Sequence, residues 1–244
     1  MSISKNQIKL INSLQQKKNR TKNGLFVAEG VKVVNELLNS SLKIHALFAT
    51  DDFTTDNYNG TITNITAQEL KKVSNLKTPN KVLGIFEIPE TKPREGNGLI
   101  IALDAVNDPG NLGTIIRLCD WFGVEQLICS KDTVDCYNPK VVQSTMGSLT
   151  RISIQYVDLL NYIENTNLPV FTADMDGQNV YAVNLPQEAI LVMGNEANGI
   201  STEIRSLIDN ALTIPRFGDL QQTESLNVAT ATAILLSEFK RGLK

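Results

Sequence analysis

The sequence predicts an α/β protein with a small N-terminal α/β domain and a larger C-terminal domain built on a parallel sheet. Short apolar runs typical of buried strands alternate with amphipathic helical segments along the chain. A polar segment containing Pro and Gly interrupts this alternation at residues 91–98, and we interpret it as a linker. The predicted domains are therefore residues 1–90 and residues 99–244.

The composition is typical of an ordinary globular protein, with 42% hydrophobic and 20% charged residues among 244. We expect a cytoplasmic location and no membrane association, because the chain has no membrane-length apolar run and no apolar secretory core at its N-terminus. Cys119, Cys129 and Cys136 lack C-x-x-C spacing, which predicts reduced structural thiols and no metal site. His45, the only histidine, lies in an apolar run and is expected to be a packed strand residue.

The N-terminal domain is predicted to alternate helices and strands. Helices are expected at 5–16, 31–38 and 67–76, and strands at 25–28, 44–49 and 81–88. The basic residues between Lys5 and Lys22 include Lys17, Lys18 and Arg20, with no acidic residue among them. Such a local basic face on a chain of net charge −3 favours an electrostatic contact with a polyanion. A merely solvated helix is the alternative.

The C-terminal domain is predicted to contain strands separated by helices, as in a parallel sheet. The strands are expected at 99–106, 126–129, 152–156, 170–172, 190–193 and 212–214, and the last helix at 226–241.

The loop after the first of these strands is a candidate ligand site. Asn111 is expected to be the N-cap of the following helix, because its short side chain can accept from first-turn amides. Arg117 would lean back over Gly113 towards the loop at the carboxyl end of the strand, where open α/β sheets bind ligands. A solvated arginine paired with Asp120 is the alternative.

Two further loops carry polar residues at strand ends. In one, Gly194 and Gly199 flank Glu196, which either belongs to a ligand site or caps a helix beginning near Ser201. In the other, Ser225 and Asn227 stand at the start of a helix rich in small residues, where free amides favour polar or anionic groups. Ser225 could equally be only the N-cap.

Several common enzyme motifs are absent from the sequence. It has no G-x-G-x-x-G after a strand, no Walker A sequence, no G-x-S-x-G and no metal-ligand cluster. The missing dinucleotide fingerprint disfavours a nucleotide-dependent oxidoreductase.

Three ordered motifs resemble those of the SpoU (TrmH-type) RNA 2′-O-ribose methyltransferases of the SPOUT class. They are Asn111-x-Gly113-x-x-x-Arg117, Met193-Gly194-Asn195-Glu196-x-x-Gly199 and Ile214-Pro215…Ser225-Leu226-Asn227-Val228. The N-terminal ninety residues resemble the substrate-binding domain that many members carry, through Lys17-Lys18-x-Arg20, Phe26-x-x-Glu29-Gly30 and Thr78-Pro79.

The resemblance implies a deep trefoil knot in the C-terminal domain, a homodimer and S-adenosylmethionine as cofactor. The residues that it implies for the cofactor are Thr172, Ala173, Asp174, Gly194, Ile214 and Leu226. Arg117 would activate or position a ribose 2′-hydroxyl, because an arginine acts as a base only if its surroundings weaken its hold on the proton. Asn111, Glu196, Ser225 and Asn227 would orient it and the ribose–phosphate, with no metal required.

The expected substrate is structured RNA, held by Lys17, Lys18 and Arg20. The two-domain arrangement favours ribosomal RNA, with transfer RNA as the alternative. Arg216 and Gln143 depart from residues frequent in the family, which affects the expected substrate more than the reaction. A non-catalytic RNA-binding protein of the same fold is the competing function.

Overall fold

The computed structural model describes residues 3–90, 98–218 and 225–241, and these form two compact units. Unit 1 contains the residues up to Glu90 together with Asp135–Thr150, and unit 2 contains the other described residues. The predicted division at residue 90 is therefore incomplete, since a segment from the second half of the chain packs in unit 1. Apart from Gly98, the predicted linker lies outside the described residues.

The helices and strands alternate along the described chain. In order they are α1 (Lys5–Ser13), α2 (Lys17–Asn23), β1 (Leu25–Glu29), α3 (Val31–Leu38), β2 (Ile44–Ala49), β3 (Ile62–Asn64), α4 (Ala67–Val73), β4 (Val82–Glu87), β5 (Leu99–Leu103), α5 (Pro109–Trp121), β6 (Gln126–Ser130), α6 (Pro139–Thr145), β7 (Ser153–Val157), α7 (Leu159–Glu164), β8 (Val170–Asn179), β9 (Ala189–Met193), α8 (Thr202–Ser206), β10 (Asn210–Thr213) and α9 (Val228–Lys240).

Unit 1 is built on a four-stranded sheet in the order β1-β4-β2-β3. β4 is antiparallel to both β1 and β2, whereas β3 is parallel to β2. Helix α6 packs on β1, and the ring of Tyr137 lies 4.8 Å from that of Phe26, centroid to centroid. The segment Asp135–Thr150 thus completes the core of unit 1 beside β1.

The first predicted helix differs from the structure. Instead of one helix over 5–16, α1 ends at Ser13 and a second helix, α2, carries the basic residues that follow. Gly24 ends α2 with a left-handed φ of +63°, which glycine adopts without a steric penalty.

Unit 2 is built on a six-stranded parallel sheet in the order β10-β8-β9-β5-β6-β7. All the strands run the same way, so their carboxyl ends lie along one edge. From β5 the chain continues to β6 on one side, while β9 joins β5 on the other. The β5/β9 pair is therefore the point where the strand order reverses and where open α/β sheets bind ligands.

Strand β8 extends well beyond the predicted three residues. Its register against β10 jumps between Ala211 and Leu212, from Thr172 to Gln178, so that residues 173–177 bulge out of the ladder. A Cβ on Gly177 would lie 2.5 Å from the carbonyl carbon of Ala211, which requires glycine at this close approach. Local alternation could not reveal an irregularity that arises from pairing with a distant strand.

Other sequence-based expectations have mixed outcomes. All three cysteines are buried and none of them is in a disulfide, as predicted. His45 lies in β2 as expected, but its side chain is exposed rather than packed. Within the described part of the chain, no helix combines the length and the apolar character needed to cross a membrane.

Candidate active site

Helix α5 is capped by Asp108, not by Asn111 as the sequence suggested. The Asp108 carboxylate accepts from the Asn111 backbone N–H at 2.8 Å, and Pro109 occupies the first helical position, where no amide is needed. The helix therefore begins three residues earlier than an Asn111 cap would allow. The Asn111 side-chain amide is consequently available for other contacts.

Helix α9 is capped by Asn227, not by Ser225. The Asn227 side-chain oxygen accepts from the backbone amides of Ala229 at 3.0 Å and Thr230 at 3.2 Å. Ser225 is exposed two residues earlier and makes no hydrogen bond with the residues that the structure describes.

The two caps fix a directed chain of side-chain hydrogen bonds. Because the oxygen of Asn227 faces the amides of α9, its NH2 group points outward and donates to Asn111 Oδ1 at 2.9 Å. The Asn111 NH2 group then donates to Glu196 Oε1 at 2.6 Å. Three of the predicted site residues, from three separate segments of the chain, are therefore in contact; we call Asn227, Asn111 and Glu196 the amide–carboxylate triad.

Glu196 lies in a loop held by polar contacts to the residues that directly follow β5. Asn195 donates from Nδ2 to the carbonyl of Ala105 at 2.6 Å, and the Asp104 carboxylate accepts from the Ser201 amide at 2.7 Å. Ser201, not Glu196, is the N-cap residue of α8, so the carboxylate of Glu196 is not used as a helix cap. These contacts aim Glu196 at Asn111.

Gly194 is required by its own loop. A Cβ there would lie 2.4 Å from the carbonyl carbon of Gly199 and 2.5 Å from the amide nitrogen of Ile200. A larger residue would disrupt the Glu196 loop whether or not a ligand is present. Substitution of Gly194 therefore does not isolate cofactor binding.

Ala105 adopts a left-handed backbone conformation with φ +54°, which is uncommon for a residue with a Cβ. Its amide donates to Ser130 Oγ at 2.9 Å, and its carbonyl accepts from Asn195. The strained residue thus directs its amide to the end of β6 and its carbonyl to the Glu196 loop, both at the carboxyl edge of the sheet.

The structure does not bring Arg117 into the triad. Arg117 is exposed on α5, about 9 Å along the helix axis from Asn111, and makes no hydrogen bond or ion pair with any described residue. The alternative partner, Asp120, is paired with Arg151 at 2.9 Å. Gly113, over which Arg117 was expected to lean, is buried within α5.

The predicted cofactor residues lie on three adjacent strands. Thr172 of β8 is in register with Val192 of β9 and with Ala211 of β10, so Ala173, Gly194 and Ile214 follow one, two and three residues beyond these aligned positions, towards the carboxyl edge of the sheet. Thr172 is fully buried, and its hydroxyl has no hydrogen-bond partner among the described residues. An unpaired buried hydroxyl beside three converging loops fits a site that presents backbone and hydroxyl groups to a polar ligand.

The two remaining predicted cofactor residues, Asp174 and Leu226, differ in their contacts. Asp174 Oδ2 accepts from Arg205 Nε at 2.6 Å. Burial raises the pKa of the Asp174 carboxyl, but hydrogen bonds from Arg205 and from the amides of Met175 and Asp176 outweigh this, and its pKa lies below the ordinary value. The Leu226 side chain is 47% exposed, just before α9. Asp174 is thus engaged in an ion pair, whereas Leu226 faces solvent.

Of the predicted RNA-contacting residues, two are exposed and one is not. Lys17 and Lys18 are exposed on α2. Arg20 is only 2% exposed: its Nη1 donates to the carbonyls of Leu14 and Gln15, and its Nη2 lies 2.5 Å from Asp135 Oδ2. The prediction that Arg20 contacts RNA is wrong, because this buried guanidinium instead ties α2 to the segment that completes unit 1.

Comparison with known proteins identifies the chain. A family model described as the SpoU rRNA Methylase family matches residues 98–237, more than half of the chain. The chain belongs to this family. A second model, described as the MRM3-like substrate binding domain, matches residues 5–84. The family predicted from the three motifs is therefore confirmed.

Relatives of this SpoU-family chain match it over nearly its whole length. The 23S rRNA (guanosine(2553)-2'-O)-methyltransferase RlmP of Bacillus subtilis is 31% identical, over 96% of each chain. An AdoMet-bound rRNA methyltransferase from Sinorhizobium meliloti is 30% identical with a TM-score of 0.85, over 100% of this chain and 98% of that one. AviRb from Streptomyces viridochromogenes, at 24% identity and TM-score 0.84 over 98% of each chain, shares the fold.

Sequence reasoning missed several residues that build the site. The Asp108-Pro109 dipeptide carried the signature of an N-cap followed by proline at the first helical position, so the start of α5 could have been placed correctly. No local signal marked Ala105 or Asp104, because their roles depend on loops distant in the sequence. Among the described residues, no group of three or more metal-ligating side chains is present.

Proposed function

We propose that the protein transfers the methyl group of S-adenosylmethionine to a ribose 2′-hydroxyl of ribosomal RNA. The observation that carries this proposal is the amide–carboxylate triad, which lies where the strand order reverses and includes a residue from each family motif. The RNA substrate is inferred from the relatives named rRNA 2′-O-methyltransferases.

The chain would contribute orientation and charge to this reaction. Asn227 is held in one orientation by its cap of α9, and Asn111 by its hydrogen bonds to Asn227 and Glu196, so each presents its amide in a fixed direction without reorganisation. Glu196 places a carboxylate beside them. Arg117, exposed and unpaired among the described residues, is the cation available to hold the RNA phosphate and the hydroxyl together.

The residues around Thr172, Gly194 and Ile214 would hold the cofactor, mainly through backbone groups and the buried hydroxyl. When bound, S-adenosylmethionine supplies an electrophilic methyl group. Asp174 contributes indirectly, because its ion pair with Arg205 fixes the bulge that carries Ala173. Ser225 and Leu226 lie just before α9 and would complete the site from the third motif.

A homodimer, a trefoil knot in unit 2 and a cytoplasmic location belong to the same proposal. Trp121 is 84% exposed at the end of α5, a helix that packs on α9. A tryptophan this exposed is typical of a contact surface, and burial against a second copy would remove it from water. Sedimentation of the wild type and of Trp121→Ala tests the homodimer. We expect a dimer for the wild type and a monomer for the variant.

Methyl transfer from labelled S-adenosylmethionine to rRNA tests the proposed function. We expect Arg117→Ala and Arg117→Lys to lose most turnover in single-turnover assays while cofactor affinity stays within twofold, since lysine lacks the planar fork. Leu207→Ala, at an exposed residue outside the site, is the matched control. Near-normal rates for Arg117→Ala would exclude the arginine from the reaction.

The target is found by comparing RNA from cells with and without the gene. We expect one 2′-O-methyl group to disappear from ribosomal RNA. If the 2′-O-methyl group disappears from transfer RNA instead, transfer RNA is the substrate. RNA binding without any methyl transfer by the purified wild type would favour the competing function of a non-catalytic RNA-binding protein.

A further inference from the structure

Unit 2 carries a cluster of exposed apolar side chains that the proposed reaction does not use. Phe217 is 83% exposed, Met175 45% and Tyr181 41%. The rings of Tyr181 and Phe217 lie 6.4 Å apart, centroid to centroid, at an interplanar angle of 32°. The guanidinium of Arg216 joins them, with Nη2 lying 3.8 Å from Met175 Sδ. We call Met175, Tyr181, Arg216 and Phe217 the aromatic cluster.

The cluster lies at the same edge of the sheet as the amide–carboxylate triad. Met175 belongs to the bulge of β8, Tyr181 follows that strand, and Arg216 and Phe217 follow β10. The triad lies over the ends of β5 and β9, and β8 is two strands away from β5. At a strand spacing near 4.8 Å, the strands that carry the two features are separated by about 5 Å (β8 and β9) to about 14 Å (β10 and β5).

The geometry of the cluster indicates a stacking surface. A base inserted between two rings needs about 3.5 Å on either side, or about 7 Å in all, so the 6.4 Å pair has no room for one. The exposed face of Phe217 is open instead. Arg216 adds a cation beside this face, which complements a phosphate backbone rather than an apolar protein surface.

We propose that the aromatic cluster binds an unpaired nucleobase of the RNA substrate by stacking on Phe217. This inference rests on the proposed function and specifies its substrate: the bound nucleotide lies in a single-stranded segment. Bases of a continuous helix cover one another, so only a loop, bulge or end can offer a free face to the ring. Arg216 supplies charge for the neighbouring phosphate.

The test compares Phe217→Ala, Phe217→Trp and the control Leu207→Ala in the full chain. The probes are rRNA for methyl transfer and a short single-stranded RNA containing 2-aminopurine, whose fluorescence is quenched by stacking. For Phe217→Ala we expect affinity for both RNAs to fall about 5- to 140-fold, with the saturating methylation rate and S-adenosylmethionine affinity unchanged. Phe217→Trp should keep the RNA affinity and the 2-aminopurine quenching of the wild type, because it retains an aromatic ring. Leu207→Ala should match the wild type in both measurements.

Three results would overturn the inference. Unchanged RNA affinity for Phe217→Ala would show that no base stacks there. A parallel loss of S-adenosylmethionine affinity would assign the cluster to the cofactor site, and conversion of a dimer to a monomer would assign it to an interface between copies. If the wild type quenches the 2-aminopurine RNA but methylates none, the proposed function fails while the stacking surface stands.

Discussion

At the scale of single residues, the site depends on side chains whose orientation is set by backbone groups. Asn227 shows this most directly, since two amides of α9 take its oxygen and leave only its NH2 for Asn111. An aspartate at either position would lose the donor and place a second negative charge near Glu196. The caps thus determine which polar atoms face a substrate.

Ala105 offers a prediction about backbone strain. Ala105→Gly should raise the free energy of unfolding by up to about 1 kcal/mol, because relief of a left-handed cost of about 1–2 kcal/mol exceeds the entropy that glycine adds to the unfolded chain. Ala102→Gly, in extended β5, is the control and should destabilise by about 0.5–1 kcal/mol. Urea unfolding measures both; a destabilised Ala105→Gly would mean that no strain is stored.

The sequence predicted which residues form the site, but not which hydrogen bonds each of them makes. Asn111, Glu196 and Asn227 were identified from motifs, and the structure brings them into contact. Their partners were misassigned because a cap depends on where a helix begins, and Asn111 and Asp108 are both good caps. Arg20 was misassigned because its charge is visible in the sequence but its buried partner Asp135 is 115 residues away.

At the scale of elements, helix α2 carries two exposed lysines beside a buried arginine. Replacing Lys17 and Lys18 with Ala should reduce the salt dependence of RNA binding by roughly 0.7–0.9 per lost phosphate contact. Stability should change by no more than about 0.5 kcal/mol, because both side chains are exposed. RNA titrations over a range of salt concentrations measure this, and an unchanged slope would exclude α2 from the RNA interface.

Arg20→Ala is the contrasting variant on the same helix. It leaves Asp135 half of a buried pair and should destabilise unit 1 by about 3–5 kcal/mol. Denaturant unfolding checks this expectation. A change below about 1 kcal/mol would mean that water replaces the guanidinium at little cost.

The bulge of β8 predicts a pH dependence. Since the pKa of folded Asp174 is lowered, its carboxylate stabilises the fold above the ordinary carboxyl range, and this contribution is lost as pH falls through the folded pKa. Asp174→Asn should therefore be less stable than the wild type at pH 7, with the difference shrinking below about pH 4. Asp209→Asn, at an exposed carboxylate, is the control for urea unfolding at both pH values. If the difference in free energy of unfolding between Asp174→Asn and the wild type is the same at both pH values, the ion pair of Asp174 with Arg205 does not stabilise the fold.

The elements themselves were largely predictable, since each strand of the parallel sheet coincides with an apolar run. The exceptions share a cause. The length of β8 and the short β3 both depend on pairing with strands outside the local window. Periodicity reports which face is buried, not where a ladder ends.

At the scale of the whole molecule, the discontinuity of unit 1 is the feature that the sequence concealed. A fragment of residues 1–90 lacks Asp135, Tyr137 and helix α6 and should be far less stable than unit 1 in the intact chain. Joining residues 135–150 to it through a Gly/Ser linker should restore a cooperative transition. Circular dichroism during urea unfolding compares the two fragments, and equal stability would show that the inserted segment is dispensable.

Because unit 1 is discontinuous in sequence, its folding during synthesis must wait until residues 135–150 have been made. At about 5–20 residues per second, synthesis from residue 91 to Thr150 takes roughly 3–12 s, far longer than the chain needs to collapse. Until Asp135 and Tyr137 are synthesised, the nascent N-terminal segment has Phe26 without Tyr137 and Arg20 without Asp135. A chaperone that recognises apolar surface therefore has seconds, not milliseconds, in which to bind the β1 edge before the chain itself covers it.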